Sequence, residues 1–374
     1  MHESTPLCWR GIWRLPLNSH RVCSCKWKRL HNSVGATVSY KNIGDAGREL
    51  LKDLAESGVR VKVPTTVNPA AIDLRKPGSL GDSPSFREAQ TEVLKSLQKM
   101  GASLTLTCTP YTISLTRPGA HVAWGESSAV CFANSFLEMY TNRESGITSI
   151  AAAIIGKTPE YGMHLDENRK PEIEVELRYK PQSDVEYAAL GYLIGSQDVQ
   201  VAKLQAIEAL PWSTLKLIAS AAAASGRVSM LTSRGAPPHS LSVTKQALIE
   251  VIEALSSASE AEVAAIGCPH LTLPELKQLA CMLRGRNVAR GRRIWAFTSP
   301  KAFAYSRELG ILQLLERAGV EVFSGACPVV APIENLPFSS IATNSAKAAH
   351  YIPSLSGKSV MLVSLKEIVQ EFTS

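Results

Sequence analysis

Three cysteines close strand-like runs that lie far apart in the chain. Cys108 ends Ala-Ser-Leu-Thr-Leu-Thr (102–107), Cys268 ends Val-Ala-Ala-Ile-Gly (263–267), and Cys327 follows Val-Glu-Val-Phe (320–323) after a short Ser-Gly-Ala turn. In an open α/β sheet, ligands bind outside the carboxyl ends of the strands. Three thiols meeting there could hold three corners of an iron–sulfur cluster and leave one iron open to substrate. Taken singly, each is equally an ordinary buried cysteine. Their shared placement, each beside Pro or Thr-Pro, favours the cluster.

The densest polar chemistry lies between the first two of these runs. Trp124-Gly125-Glu126-Ser127-Ser128 opens a predicted helix. Free N–H groups at a helix start favour a carboxylate or phosphate, although Ser127 and Ser128 also suit plain capping. Arg143 is a fork-shaped donor matched to a carboxylate, or a surface ion pair. The stretch 161–169, with His164, Asp166, Glu167, Asn168 and Arg169, reads either as a functional loop or as a polar turn.

The elements that must position these groups alternate. Helices are predicted over 45–57, 85–100, 126–140, 145–155, 184–194, 244–256, 273–283 and 365–372, the second opened by Ser83 and Pro84. Strands are predicted over 59–63, 102–108, 172–178, 227–231, 263–268, 293–297 and 360–364. This alternation implies largely parallel sheets with helices on both faces. Lobe boundaries are expected near 180 and 236, where Lys180–Ser183 and the Pro-rich Ala236–His239 interrupt the pattern. No internal repeat or low-complexity tract stands out.

Bulk composition narrows the classes. A chain of 374 residues with 45% hydrophobic and 20% charged residues is that of an ordinary globular protein with more than one lobe. The net charge of +7 is uneven: residues 1–33 hold six Lys/Arg against Glu3 alone, leaving only +2 for the rest. That argues against a nucleic-acid-binding body. No apolar run reaches the roughly 18–20 residues of a membrane span, so neither nucleic acid nor membrane is an expected partner. Eight cysteines without a secretory signal do not make a disulfide framework. The basic leader 1–33, with Trp9, Trp13 and Trp27, reads as a transit peptide or as a divergent start that adds no structure. The expected location is cytoplasmic, or mitochondrial if the leader is a transit peptide.

At this point the chain resembles the large-subunit domain of the aconitase X family. The matching stretches are 39–47 (Ser-Tyr-Lys-Asn-Ile-Gly-Asp-Ala-Gly), 63–70 (Val-Pro-Thr-Thr-Val-Asn-Pro-Ala), 107–111, 124–134, 141–144, 158–169, 267–270, Cys327 with 329–332, and 343–351. They run in one collinear order from about Val38 to the C-terminus. The resemblance implies an aconitase-like α/β fold of several lobes, with parallel sheets and helices on both faces. It implies a hydro-lyase acting on a small hydroxy-acid, cis-3-hydroxy-L-proline or phosphomevalonate. It further implies an iron–sulfur cluster, [4Fe-4S] or [2Fe-2S], held by Cys108, Cys268 and Cys327 and acting as a Lewis acid on the leaving hydroxyl. Val38, Ser39, Asn68 and Pro69 would lie on the substrate. Asn344, Ser345 and Lys347 would approach it from the C-terminal lobe, Lys347 meeting a carboxylate or phosphate. Arg143 joins the substrate-binding set, and Ser39, His164 and Lys347 are the candidate proton-transfer residues of this chain.

Two departures accompany the match. The basic leader replaces the helical segments that precede the Ser-Tyr stretch in the family, and Thr37-Val38-Ser39 stands where the family has Gly-Val-Ser. The family also uses a small swivelling domain that caps the site and carries a catalytic serine. The catalytic domain is read here as 34–374, so a small subunit is the expected partner. A non-catalytic, regulatory aconitase X-like protein is the alternative, and a doubly wound metal-binding protein without catalysis is a third. Retention of all three thiols favours the hydro-lyase.

Overall fold

The residues of Val263–Leu271 are all buried, and none carries a full charge. A strand apolar on both faces has to be covered on both, and the chain is built accordingly. A computed structural model describes residues 26–35, 39–113 and 117–374. Its N-terminal part holds β1 (Trp27–Arg29), β2 (Ser33–Gly35), β3 (Thr65–Val67), β4 (Ala123–Trp124) and β5 (Lys157–Pro159). Strands β3, β2 and β4 form a parallel sheet with β2 in the middle, and β1 pairs antiparallel with β5. The middle part holds β6 (Ile173–Leu177), β7 (Val201–Leu204), β8 (Met230–Thr232) and β9 (His239–Val243), a parallel sheet in the order β8-β7-β6-β9. The last part holds β10 (Val263–Leu271), β11 (Arg293–Thr298), β12 (Val320–Ser324), β13 (Ser340–Thr343) and β14 (Ser359–Leu362), parallel in the order β12-β11-β10-β13-β14. The strand order in each parallel sheet reverses about an inner strand, β2, β6 or β10, and such a reversal opens a crevice at the carboxyl edge.

Side chains alternate across the five-stranded sheet as a pleated strand requires. Ile294 and Ala296 pack on one face with Val320 and Val322, while Trp295 and Phe297 pack on the other with Phe323 and Ile341. Helices cover both faces, as the alternation predicts. Their starts follow capping chemistry: Ser83 accepts from the Phe86 N–H with Pro84 in the first turn, and Ser145, Thr272 and Ser364 each close a capping box. Among the described residues no helix is long and apolar enough to cross a membrane.

Several expectations move. Residues 59–63 are not a strand: the Val61 N–H bonds to Met100 O and the Lys62 N–H to Ala153 O, and pairing begins only after Pro64. The run 102–107 is extended and hangs on β3 through Ser103 N–H to Thr65 O and Thr107 N–H to Val67 O. It does not become a strand because Leu106 adopts a positive φ of 44°, which breaks the extended geometry. The expected breaks near 180 and 236 both fall inside the span of one sheet, since β9 pairs with β6. The leader boundary at 33/34 falls inside β2, an inner strand. Leu30, Asn32 and Ser33 are buried, so residues 26–33 belong to the body; the rest of the leader lies outside the described residues.

Candidate active site

Strand ends from two sheets converge on one cavity of about 470 Å³. Asn68 and Pro69 follow β3, Gly125 and Glu126 follow β4, Cys268 lies within β10, and Cys327 comes just after β12. Lys347 sits in the first turn of the helix Ala346–Ser356 after β13, and Cys108 ends the extended segment beside β3. Cys268 reaches the cavity because β10 leaves its ladder: Gly267–His270 bulges out between the pairs Ile266–Ala296 and Leu271–Thr298. Gly267 starts that bulge with φ +109°, and a Cβ there would lie 2.3 Å from Phe297 O. Only glycine permits both the conformation and the approach.

His270 ties the three cysteine-bearing segments together. Its ring is buried; Nε2 lies 2.7 Å from Ala326 O, next to Cys327, and Nδ1 lies 3.1 Å from Thr107 Oγ1, next to Cys108. A carbonyl can only accept, so Nε2 carries the proton and Nδ1 accepts from the Thr107 hydroxyl. The His270 backbone N–H donates to Cys108 Sγ at 3.2 Å. Burial pushes the imidazole down to about 4, which keeps it neutral, and its carbonyl partner fixes the tautomer. Replacing His270 with Ala removes the donor to Ala326 and leaves a void, a loss of about 2–4 kcal/mol. Urea unfolding of the cluster-free protein reads that loss directly; coincident midpoints for variant and wild type would rule out the clamp.

Burial dominates the chemistry of the three thiols. Burial raises Cys108 well above its ordinary value, with Glu126, Cys327 and Cys268 adding to the effect. Cys327, pushed up to about 12 by desolvation and then by Cys268, is opposed by the N–H groups of Val329 and Val330. Cys268 is raised by burial, opposed by the Lys347 charge and by a hydrogen bond from Ser345. These donors favour the thiolate, the form that binds metal, but burial outweighs them at all three sulfurs. Among the described residues no three His, Cys, Asp or Glu side chains close on a single ion. Cys108, Cys268 and Cys327 instead line the wall of one cavity.

Beside them lies an ion pair. Lys347 Nζ contacts Glu126, whose carboxylate also accepts from Asn68 Nδ2 at 3.2 Å and from Ser128 Oγ at 2.9 Å. Both side chains are largely buried, 12% and 15% exposed. Burial alone would raise Glu126; the Lys347 ammonium overcomes it and, with the Ser128 bonds, holds the carboxyl below its ordinary range.

Two models of one family match the chain: the aconitase X first domain over residues 24–167 and the aconitase X third domain over 261–374. The phosphomevalonate dehydratase large subunit of Thermococcus kodakarensis is 40% identical over 351 residues, which is 90% of this chain and 88% of that protein. The chain belongs to the aconitase X family. The phosphomevalonate dehydratase large subunit of Methanothermobacter thermautotrophicus is 38% identical, covering 86% of this chain and 83% of that one. The cis-3-hydroxy-L-proline dehydratase of Pseudomonas aeruginosa is 30% identical over 87% of this chain, but over only 60% of its own length. A crystal structure of aconitase X from Thermococcus kodakaraensis in its holo-form superposes with a TM-score of 0.85 at 37% identity, over 92% of this chain and 90% of that one. These relatives are dehydratases, and the chain is an enzyme of the lyase class.

Not every residue expected from the aconitase X resemblance reaches the cavity. Cys108, Cys268, Cys327, Asn68, Pro69, Arg143 and Lys347 line it. Arg143, however, spends its guanidinium on the last carbonyls of the helix Trp212–Ser225, Ala223 O at 2.8 Å and Gly226 O at 2.5 Å. Lys347 is engaged by Glu126 rather than left free for a substrate anion. Ser345 caps the helix Ala346–Ser356. Ser39 is buried and donates to Val330 O at 3.0 Å, and Val38 lies outside the described residues. Asn344 bonds Asp184 Oδ2 at 2.7 Å and lines a separate cavity. His164 is buried elsewhere, its Nδ1 2.9 Å from His121 Nδ1, and burial pushes it down to about 3. Among the cavity residues that the sequence reading left without a role are Glu126, Glu144 and Ser145, each at the start of a helix.

Proposed function

We propose that this chain is the catalytic large subunit of a hydro-lyase that removes water from a small hydroxy-acid, with phosphomevalonate as substrate and an iron–sulfur cluster on Cys108, Cys268 and Cys327. The observation that carries this reading is that three thiols from three separate segments line the same cavity as the Glu126–Lys347 pair. Three cysteine sulfurs brought to one cavity, one of them accepting the His270 N–H, make a donor set suited to a cluster. When bound, the cluster supplies a Lewis-acidic iron for the leaving hydroxyl. Preference for phosphomevalonate over cis-3-hydroxy-L-proline is supported by the higher identity to the relatives that bear the former name, 40% against 30%.

The chain's own part is binding and orientation. The helices Ser127–Phe136, Gly146–Ile155 and Ala346–Ser356 begin at or beside the cavity, at Ser127, Ser145 and Lys347. Their N-terminal N–H groups favour an anionic end of the substrate, a role that the neutralised Lys347 does not fill alone. Asn68 Oδ1 is buried and has no partner among the described residues. It is an acceptor waiting for a donor such as a substrate hydroxyl. The base for the neighbouring carbon is assigned to a small subunit, in keeping with relatives named as large subunits.

The test is anaerobic reconstitution of the chain with and without an aconitase X small subunit, followed by assay of both substrates. Dehydration of phosphomevalonate by the pair at an ordinary rate of about 1–1000 per second, and little by the chain alone, is the expected result. A cluster-loaded complex that turns over neither substrate would overturn the reading.

A further inference from the structure

Two carboxyls line the cavity, and their surroundings drive them apart. Glu126 is held as a carboxylate by Lys347, Ser128 and Asn68. Glu144 is 8% exposed, no cation pairs with it, and its Oε1 has no hydrogen-bond partner among the described residues. The Thr148 hydroxyl favours its charged form, but burial outweighs it. The neighbouring Arg143 does not help, because its guanidinium is taken by Ala223 O and Gly226 O. An ionised carboxylate in such a place is costly, and the neutral acid is the cheaper form. Burial accordingly raises Glu144. Paired titratable groups pushed in opposite directions mark acid and base roles.

We propose that Glu144 is the general acid of the cavity and gives its proton to the hydroxyl that leaves. The inference rests on the dehydratase reading. As the carbon–oxygen bond breaks, its electron pair goes to oxygen, which takes the Glu144 proton and departs as water. The electron pair of the neighbouring carbon–hydrogen bond becomes the new carbon–carbon double bond, and the base keeps that proton. Glu144, left as a carboxylate, is reset when the base's proton returns to it through water.

The other groups facing the cavity are poor donors. Glu126 has no proton to give. Lys347 is held as an ammonium by Glu126, which raises it. The three thiols are taken by the cluster, and His164 lies elsewhere. Position agrees as well: the Glu144 N–H bonds Trp124 O at 3.1 Å, placing it against the strand that delivers Glu126.

The test uses Glu144→Gln in the reconstituted two-subunit enzyme. The amide keeps the shape and loses the acid. Expected is a fall in kcat of about 10²–10⁴-fold with KM little changed. In the wild type, activity falls as pH rises through the Glu144 value, and this alkaline limb is absent from the residual activity of the variant. A second readout is independent of turnover. The infrared spectrum of the folded wild-type chain contains a protonated-carboxyl band that Glu144→Gln lacks. Should Glu144→Gln not fold, Glu144→Asp keeps the band while slowing turnover. Wild-type kcat in Glu144→Gln, or an unchanged infrared band, overturns the proposal. A wild-type enzyme without dehydratase activity overturns the functional reading instead, and the band still decides whether Glu144 holds a proton.

Discussion

On the proposed reading, Cys268→Ser, Cys108→Ser and Cys327→Ser should each leave a folded protein that fails to keep an intact cluster. A serine hydroxyl is a harder and far less acidic ligand than a thiol. On that reading the lost Lewis acid forfeits on the order of 4 kcal/mol of transition-state stabilisation, about 10³-fold in rate. The control lies in two other cysteines. Cys131 is buried in the helix Ser127–Phe136 beside Ser135, and Cys281 is exposed; neither lines the cavity. Their serine variants should keep iron content, visible absorbance and turnover. Equal iron loss in all five variants would mean that the metal is not held at the cavity.

The meeting of the three cysteines at one cavity was legible in the sequence because each closes or closely follows a strand-like run beside Pro or Thr-Pro, and a parallel sheet sends such ends to one edge. What moved was local. Leu106, with its positive φ, turned a predicted strand into an extended segment, yet Cys108 still reached the edge, because the segment hangs on β3. Partners supplied by distant parts of the chain were not legible. Nothing around Arg143 announces the helix end at Ala223 and Gly226 that claims it, and nothing around His164 announces His121. His270 stood in the quoted stretch with Cys268, but its clamp depends on Thr107 and Ala326, 163 and 56 residues away. Glu144 lies in the matching stretch 141–144, and only the structure reveals a buried carboxyl oxygen with no partner among the described residues. The expected lobe boundaries rest on proline-rich loops, which mark chain turns, whereas sheet membership is decided by pairing such as β9 with β6.

Lys347→Met should be among the most destabilising substitutions at the cavity, although lysines are ordinarily surface residues. It removes the cation and leaves Glu126 as a buried charge, which costs about 3–5 kcal/mol. The double variant Glu126→Gln/Lys347→Met removes both charges and should recover most of that loss. Urea unfolding of the cluster-free chain measures all three proteins. The pH dependence follows from the same pair. Glu126 is held below its ordinary value in the folded chain, so its contribution is fully present above the unfolded value of about 4.3. It disappears as pH falls through the lower folded value. In Lys347→Met that acid-side loss should vanish, and protonation of the stranded Glu126 should instead restore stability as pH falls. A single variant as stable as the wild type at neutral pH would mean that Lys347 is free to meet a substrate anion. In that case its loss would appear as a raised KM rather than as a weakened fold.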